Sequence, residues 1–143
     1  MKKDVLIIRT LVIYKSISGF TKKYAEWIAE ELKADIHGTK DFDCTLFKNY
    51  DLIVFGGSLH AVGINGVKCI KENLEQLCDK KIVVFAVGAS PPRENVLDEV
   101  RNNNFSEEQK KIMFFYLRGG FNYGKLNFSN KILMMYVSNL TSN

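Results

Sequence analysis

The chain has 143 residues, of which 46% are hydrophobic and 25% charged. That is one ordinary globular domain, 1–143, with enough material for a core without disulfides, and it excludes a disordered tail, a collagen-like fibre and a disulfide scaffold. Twenty basic against sixteen acidic residues leave a net charge of +4, a scattered excess that suits an anionic ligand, an acidic partner or an anionic membrane surface and argues against nucleic acid.

The start, Met1-Lys2-Lys3 followed by Val5 to Ile8, has the outline of a weak signal peptide. Arg9 breaks the apolar run and no small-residue cleavage site follows, so the segment reads as strand material. It either extends the first strand or forms a separate piece, and residues 1–9 are surplus to the domain. Leu11 to Tyr14 predicts a buried strand. Thr21 to Lys33 predicts a helix, with Tyr24, Ile28 and Leu32 every four residues and Ala25 and Ala29 beside them. Glu26, Glu30 and Glu31 fall on its wet side, and Trp27 on the packed face or its edge.

A short strand near Ala34 to His37 should follow. Leu52 to Phe55 predicts a second buried strand ending at Gly56-Gly57. Val67, Ile70, Leu74 and Leu77 mark a helix. Ile82 to Val87 is a third strand, ending at Gly88, and Arg93 to Asn102 a helix with Val96, Leu97 and Val100 inward. Ile112 to Leu117 is a further strand, ending at Gly119-Gly120. Asn130 to Leu140 closes the chain as an apolar helix. Strand and helix alternate throughout, which predicts an α/β fold with a mainly parallel sheet.

Cys44, Cys69 and Cys78 show no CxxC spacing, so neither a zinc ribbon nor a thioredoxin motif is supported. They read as reduced thiols of a cytoplasmic protein, serving as small buried hydrophobes. No metal site is expected.

Ligands of such a sheet bind outside the carboxyl ends of its strands, where the strand order reverses. Those ends read Ser16-Ile17-Ser18-Gly19-Phe20-Thr21, Gly56-Gly57-Ser58-Leu59-His60, Val87-Gly88-Ala89-Ser90 and Arg118-Gly119-Gly120-Phe121. The first joins a strand directly to a helix start, whose open N–H groups and partial positive charge suit a phosphate. Ser16, Ser18 and Thr21 add hydroxyls, and Gly19 allows close approach. Thr21 or Ser18 simply capping the helix is the plainer reading, and it is compatible with a phosphate. The loop has neither GxGxxG nor GxxxxGK, which removes a dinucleotide fingerprint and a Walker loop. No aspartate ends the middle strand, which removes a phosphoacceptor receiver.

The loop Ser16-Ile17-Ser18-Gly19-Phe20-Thr21 resembles the flavodoxin pattern Ser/Thr-x-Ser/Thr-Gly-x-Thr. The segment Phe115-Tyr116-Leu117-Arg118-Gly119-Gly120-Phe121-Asn122-Tyr123, continuing to Met134-Met135, is similar to the flavodoxin-domain branch containing menaquinone-dependent protoporphyrinogen oxidases. The resemblance covers about Leu11 to Leu140. It implies a flavodoxin-like three-layer doubly wound sheet of about five parallel strands, and FMN as cofactor. Ser16, Ser18, Gly19 and Thr21, with the backbone of Ile17 and Phe20, would hold the phosphate. Ser58, Leu59 and His60 would line one face or edge of the isoalloxazine, and Gly88, Ala89 and Ser90 the other. Gly119, Gly120 and Tyr123 would close the pocket. The flavin then carries the redox chemistry, and no side chain is expected to act as acid, base or nucleophile.

The sequence departs from that pattern in three places. Flavodoxins that shuttle electrons are usually acidic, and this chain is mildly basic. Neither ring loop, Ser58-Leu59-His60-Ala61 nor Gly88-Ala89-Ser90-Pro91, carries Trp, Tyr or Phe. His60 is the π-bearing candidate there, against a solvent-facing role. The chain also ends soon after the helix at 130–140, which is either the closing helix or an insertion that leaves the C-terminal layer incomplete. That helix reads as core, with a membrane-surface or quinone-facing role as the alternative.

Three functions follow. The first is an FMN-binding redox protein that transfers electrons to a partner protein or a quinone. The second is a protoporphyrinogen-oxidase-type flavoenzyme passing electrons to menaquinone. The third is an interaction module of the same fold without cofactor.

Overall fold

Three continuous apolar runs become neighbouring strands in the middle of a parallel sheet. The computed structural model describes residues 8–17, 19–40, 42–60, 63–88, 94–106 and 112–118. In chain order these form β1 (Thr10–Lys15), α1 (Phe20–Leu32), β2 (Asp35–Gly38), a 3₁₀ helix (Cys44–Asn49), β3 (Leu52–His60), β4 (Gly63–Ile64), α2 (Lys68–Lys71), β5 (Lys81–Gly88), α3 (Glu94–Asn104) and β6 (Met113–Arg118). The sheet order is β2-β1-β3-β5-β6, with β4 folded back on β3. All pairs along that path are parallel and β3–β4 is antiparallel. This is the expected doubly wound α/β sheet of five parallel strands. The predicted helix at 130–140 and the question of an incomplete C-terminal layer lie outside the described residues.

Buried parallel strands are covered on both faces, so they read as unbroken apolar runs rather than as alternation. Each nevertheless feeds two cores in turn. On one face Val12, Leu52, Val54, Val83 and Phe85 meet Tyr24, Ala25, Ile28 and Ala29 of α1. On the other, Leu11, Ile13, Ile53, Phe55, Val84 and Ala86 meet Phe47 of the 3₁₀ helix, Val67, Ile70, Leu77 and Val100. Tyr24 and Trp27 pack edge to face, with ring centroids 5.5 Å apart; Trp27 is half-buried, at the edge of the packed stripe.

Two elements end differently from the sequence pattern. β3 does not stop at Gly56-Gly57 but continues through both to His60. A side chain at 56 would stand 2.1 Å from Phe85 Cζ, and one at 57 would stand 2.3 Å from the Asn65 carbonyl oxygen. The glycines are thus mid-strand positions on which a core ring and a returning chain pack directly. The helix expected across 67–77 is regular only over Lys68–Lys71 and continues as turns. Asn73 Nδ2 donates to the Cys69 carbonyl at 2.7 Å, a side-chain bond of the kind that competes with the helical ladder.

The 3₁₀ helix is capped by Asp43, which accepts from Thr45 N–H at 3.0 Å and from Thr45 Oγ1 at 2.7 Å. At its other end Tyr50 Oη donates to Asp35 Oδ2 at 2.6 Å. Burial, then the Asp35 hydrogen bond and charge, push the Tyr50 phenol up from 10.0 to about 12. A folded-state value raised above the unfolded one favours the folded protein fully below the unfolded value. That contribution is lost as pH climbs from 10.0 to about 12. Denaturant midpoints across that window should therefore fall more steeply for the native chain than for Tyr50→Phe. A Tyr50→Phe profile identical to the native one would contradict this.

β4 is seated by a buried amide. Ile64 N–H donates to Asn104 Oδ1 at 3.0 Å, and Asn104 Nδ2 donates to the Val100 carbonyl at 2.7 Å. Asn65-Gly66 then turns the chain, with Val67 N–H donating to the Ile64 carbonyl at 3.2 Å. Gly66 occupies the third turn position at φ +82°, and a Cβ there would lie 2.9 Å from Lys15 Cβ. A positive φ at that position is what glycine supplies at no steric cost. Gly66→Ala should cost about 2–3 kcal/mol, combining left-handed strain with the collision. Urea denaturation measures it, and a change within about 0.5 kcal/mol would contradict the turn's role.

Candidate functional site

β1 leads to β2 on one side, whereas β3 pairs on its other side. The strand order therefore reverses between β1 and β3, and the crevice lies outside their carboxyl ends. Lys15 pairs with Gly57 in register, so the chain leaves β1 beside the last residues of β3, Ser58 to His60.

The first loop is built for a helix start. Gly19 N–H donates to Ser16 Oγ at 3.0 Å. Gly19 itself takes the left-handed conformation, φ 96° and ψ −17°, and caps α1 with no side-chain bond. Its carbonyl accepts from Lys23 N–H at 3.0 Å, the first helical bond. A Cβ at Gly19 would meet nothing within 4 Å, so the backbone angle and not space calls for glycine. The N–H groups of Phe20, Thr21 and Lys22 have no helical acceptor because the helix begins there.

Thr21 does not cap the helix. Its side chain is fully buried in the first turn of α1, and its Oγ1 is the one buried side-chain polar atom among the described residues without a hydrogen-bond partner. A buried hydroxyl left unpaired costs about 1–3 kcal/mol. The first turn carries no acidic residue, and Lys15, Lys22 and Lys23 are exposed around it. Helix dipole, open N–H groups, an unpaired hydroxyl and flanking cations all favour an anion. Ile17 and Phe20 present large apolar side chains to solvent beside it, at 73% and 44% exposure.

The opposite wall is the end of β3 and its return. Ser58 is buried; its Oγ accepts from Asn65 Nδ2 at 3.1 Å, and its carbonyl accepts from Asn65 N–H at 2.9 Å. Leu59 is half-buried and approaches Gly88 at the end of β5, where a Cβ would stand 2.9 Å from Leu59 Cδ1 and 2.6 Å from the Tyr116 hydroxyl. His60 is exposed at the rim. It opens onto a groove of about 530 Å³ lined further by Gly63 to Lys68, Lys71 and Glu72.

The fold thus brings Ser16, Ile17, Gly19, Phe20 and Thr21 to one side of the crevice, Ser58, Leu59 and His60 to the other, and Gly88 beside Leu59. Ser18, Ala89, Ser90, Gly119, Gly120 and Tyr123 lie outside the described residues. Three contributors were missed in the sequence: Asn65, which holds Ser58, Gly66, which lets the turn close onto Lys15, and Tyr116. Asn65-Gly66 carries a recognised turn signal. Tyr116 lies in the segment that carries the branch resemblance, but nothing local marks its hydroxyl as reaching Gly88. No helix among the described residues is long and apolar enough to cross a membrane.

Known proteins agree with this architecture. Residues 11–143 match the family model for a flavodoxin domain, Flavodoxin_5. An uncharacterized protein of Methanocaldococcus jannaschii, MJ0298, is 30% identical over 120 residues, covering 81% of this chain and 79% of that protein. Oxidised Flavodoxin 1 from Bacillus cereus superposes with a TM-score of 0.57 at 13% identity, over 91% of this chain and 97% of that one. Rubredoxin oxygen:oxidoreductase from Desulfovibrio gigas superposes with a TM-score of 0.64 at 14% identity, over 94% of this chain but 36% of that one. The last two likenesses are of fold. The family match spans β1, the crevice and every later element, and on it the chain belongs to the flavodoxin domain family.

Proposed function

We propose that this chain binds FMN in the β1–β3 crevice and works as a redox protein through it. The observation that carries the reading is the buried, unpartnered Thr21 hydroxyl at the start of α1. Its donor, the open N–H groups behind Gly19 and the absence of a first-turn carboxylate fit a phosphate monoester. Ser16, Gly19 and Thr21 would hold the phosphate, with backbone N–H groups of the first turn. Leu59 and Gly88 would flank the ring, and His60 would stand at its exposed edge.

Bound FMN would supply the reversible electron uptake. The chain's own part is to bind, orient and shield. Ser16 holds the loop closed through Gly19 N–H. Asn65 holds the end of β3 through Ser58. No residue of the crevice is assigned an acid, base or nucleophilic role. Electrons would leave to a partner protein or a quinone.

A second reading has one observation in its favour. The groove beside His60, with Lys68 and Lys71 on its wall, offers room for a substrate next to the flavin edge. It supports an oxidase of the protoporphyrinogen type, with menaquinone as acceptor.

Titration of the apo-protein with FMN, followed by absorbance and flavin fluorescence, tests the main reading. Saturable binding at micromolar FMN or below supports it. Turnover of a protoporphyrinogen with a quinone would then select the second reading, and flavin without turnover the carrier. A protein that stays colourless with added FMN overturns both.

A further inference from the structure

Cys44 opens the 3₁₀ helix and Cys69 lies in α2. They are 25 positions apart in the chain, and the fold places them together. Both are half-buried against the same core, which includes Phe47 and Ile70. Asn73 bridges them, its Nδ2 lying 3.6 Å from Cys44 Sγ and 2.7 Å from the Cys69 carbonyl oxygen. The Cys44 sulfur lies near enough to Cys69 to help raise its thiol. Cys78, by contrast, is exposed. The expectation of three buried cysteines is therefore corrected: Cys78 is at the surface, and Cys44 and Cys69 are half-buried on either side of Asn73. Spacing alone does not reveal the pair, because the sheet's connections create the contact.

We propose that Cys44 and Cys69 are a redox-active dithiol that closes to an intramolecular disulfide by exchange with a low-molecular-weight disulfide. The proposal is independent of the flavin. In the first step the Cys44 thiolate attacks one sulfur of the small disulfide. A Cys44 mixed disulfide forms, and one small thiol leaves with a proton. In the second step Cys69 loses its proton to water and its sulfur attacks the Cys44 sulfur. The protein disulfide forms, and the second small thiol leaves. The dithiol gives up two electrons and two protons, and the small disulfide takes up both.

Cys44 is the entry point for a physical reason. Burial, then the neighbouring Cys44 sulfur, pushes the Cys69 thiol up to about 12, with Glu72 adding to the effect. The thiolate is the attacking species, so Cys69 is a poor first nucleophile. Held beside the mixed disulfide, it becomes an effective second one, since the step is intramolecular. The closed form ties the 3₁₀ helix to α2, directly after the Asn65-Gly66 turn that seats the end of β3.

The test uses the full chain and excess oxidised glutathione, followed by alkylation of remaining thiols, trypsin and peptide mass mapping without reductant. Residues 41–48 and 69–71 fall in separate tryptic peptides. The expected product joins those two peptides, lighter by two hydrogens than their sum, while Cys78 is alkylated or carries glutathione. Cys69→Ser should stall with glutathione on Cys44, and Cys44→Ser should leave Cys69 free for alkylation. Two results overturn the proposal. In one, Cys44 and Cys69 remain alkylatable in the native chain after Cys78 has reacted. In the other, the native chain accumulates a glutathione adduct on either residue without closing.

Discussion

Thr21→Val is expected to raise the stability of the free protein and to weaken the proposed binding of FMN. The two effects have opposite signs because they come from the same atom. Val matches Thr in shape and branching, so packing and helix preference change little. In the free protein the substitution removes a buried hydroxyl that has no partner. Chemical denaturation of the apo-protein should show a gain of about 1–2 kcal/mol. In the complex it removes a donor to a charged phosphate, worth about 1.5–3 kcal/mol, so the Kd for FMN should rise about 10- to 100-fold. A destabilised variant with unchanged affinity would mean that Thr21 is merely a packing residue.

Gly56→Ala is expected to be among the most damaging single-methyl changes in the sheet. Gly56 pairs with Phe85 in register. A methyl there would stand 2.1 Å from Cζ and 2.5 Å from both Cε atoms of a fully buried ring. The ring is held by α1 and both neighbouring strands, so it cannot swing away cheaply. Overpacking of this kind costs about 3 kcal/mol, equivalent to a fall in Tm of roughly 6–12 °C for a chain of this size. Phe85→Leu opens the space. In that background Gly56→Ala should cost less than about 1 kcal/mol, a coupling that a double-mutant cycle reads directly. Additive losses would show that the collision is relieved elsewhere, by movement of β3.

The parts legible in the sequence are those whose physics is local. Leu11–Tyr14, Leu52–Phe55 and Ile82–Val87 announce buried strands because both faces of each are covered. Tyr24, Ile28 and the alanines announce α1 because one helix stripe meets the sheet. What was illegible depends on contacts between distant segments. The run of β3 through Gly56-Gly57 follows from Phe85 and Asn65 packing onto bare backbone. The short α2 follows from the Asn73 amide bonding the Cys69 carbonyl. The 3₁₀ helix at Cys44–Asn49 has neither long periodicity nor a run of apolar residues to mark it.

The candidate site divides along the same line. Glycine and hydroxyls between a strand and a helix mark the first loop as an anion site, whatever the rest of the fold does. That Thr21 is buried and unpaired, while Ser58 is already engaged by Asn65, is visible only in three dimensions. This distinction changes the weights of the two hydroxyls. Thr21 Oγ1 has no partner at all, whereas the Ser58 oxygen is held in place by the Asn65 amide and keeps its hydrogen to give.

Calorimetric titration of the apo-protein with FMN and, separately, with riboflavin tests the phosphate site most directly. The two ligands share a ring system and differ in the phosphate. The predicted result is FMN binding with a Kd at or below about 1 μM and riboflavin binding at least about 10- to 100-fold more weakly, the ratio expected for charge-assisted bonds to the α1 terminus. Equal affinities, or no heat from FMN at tens of micromolar, would contradict it.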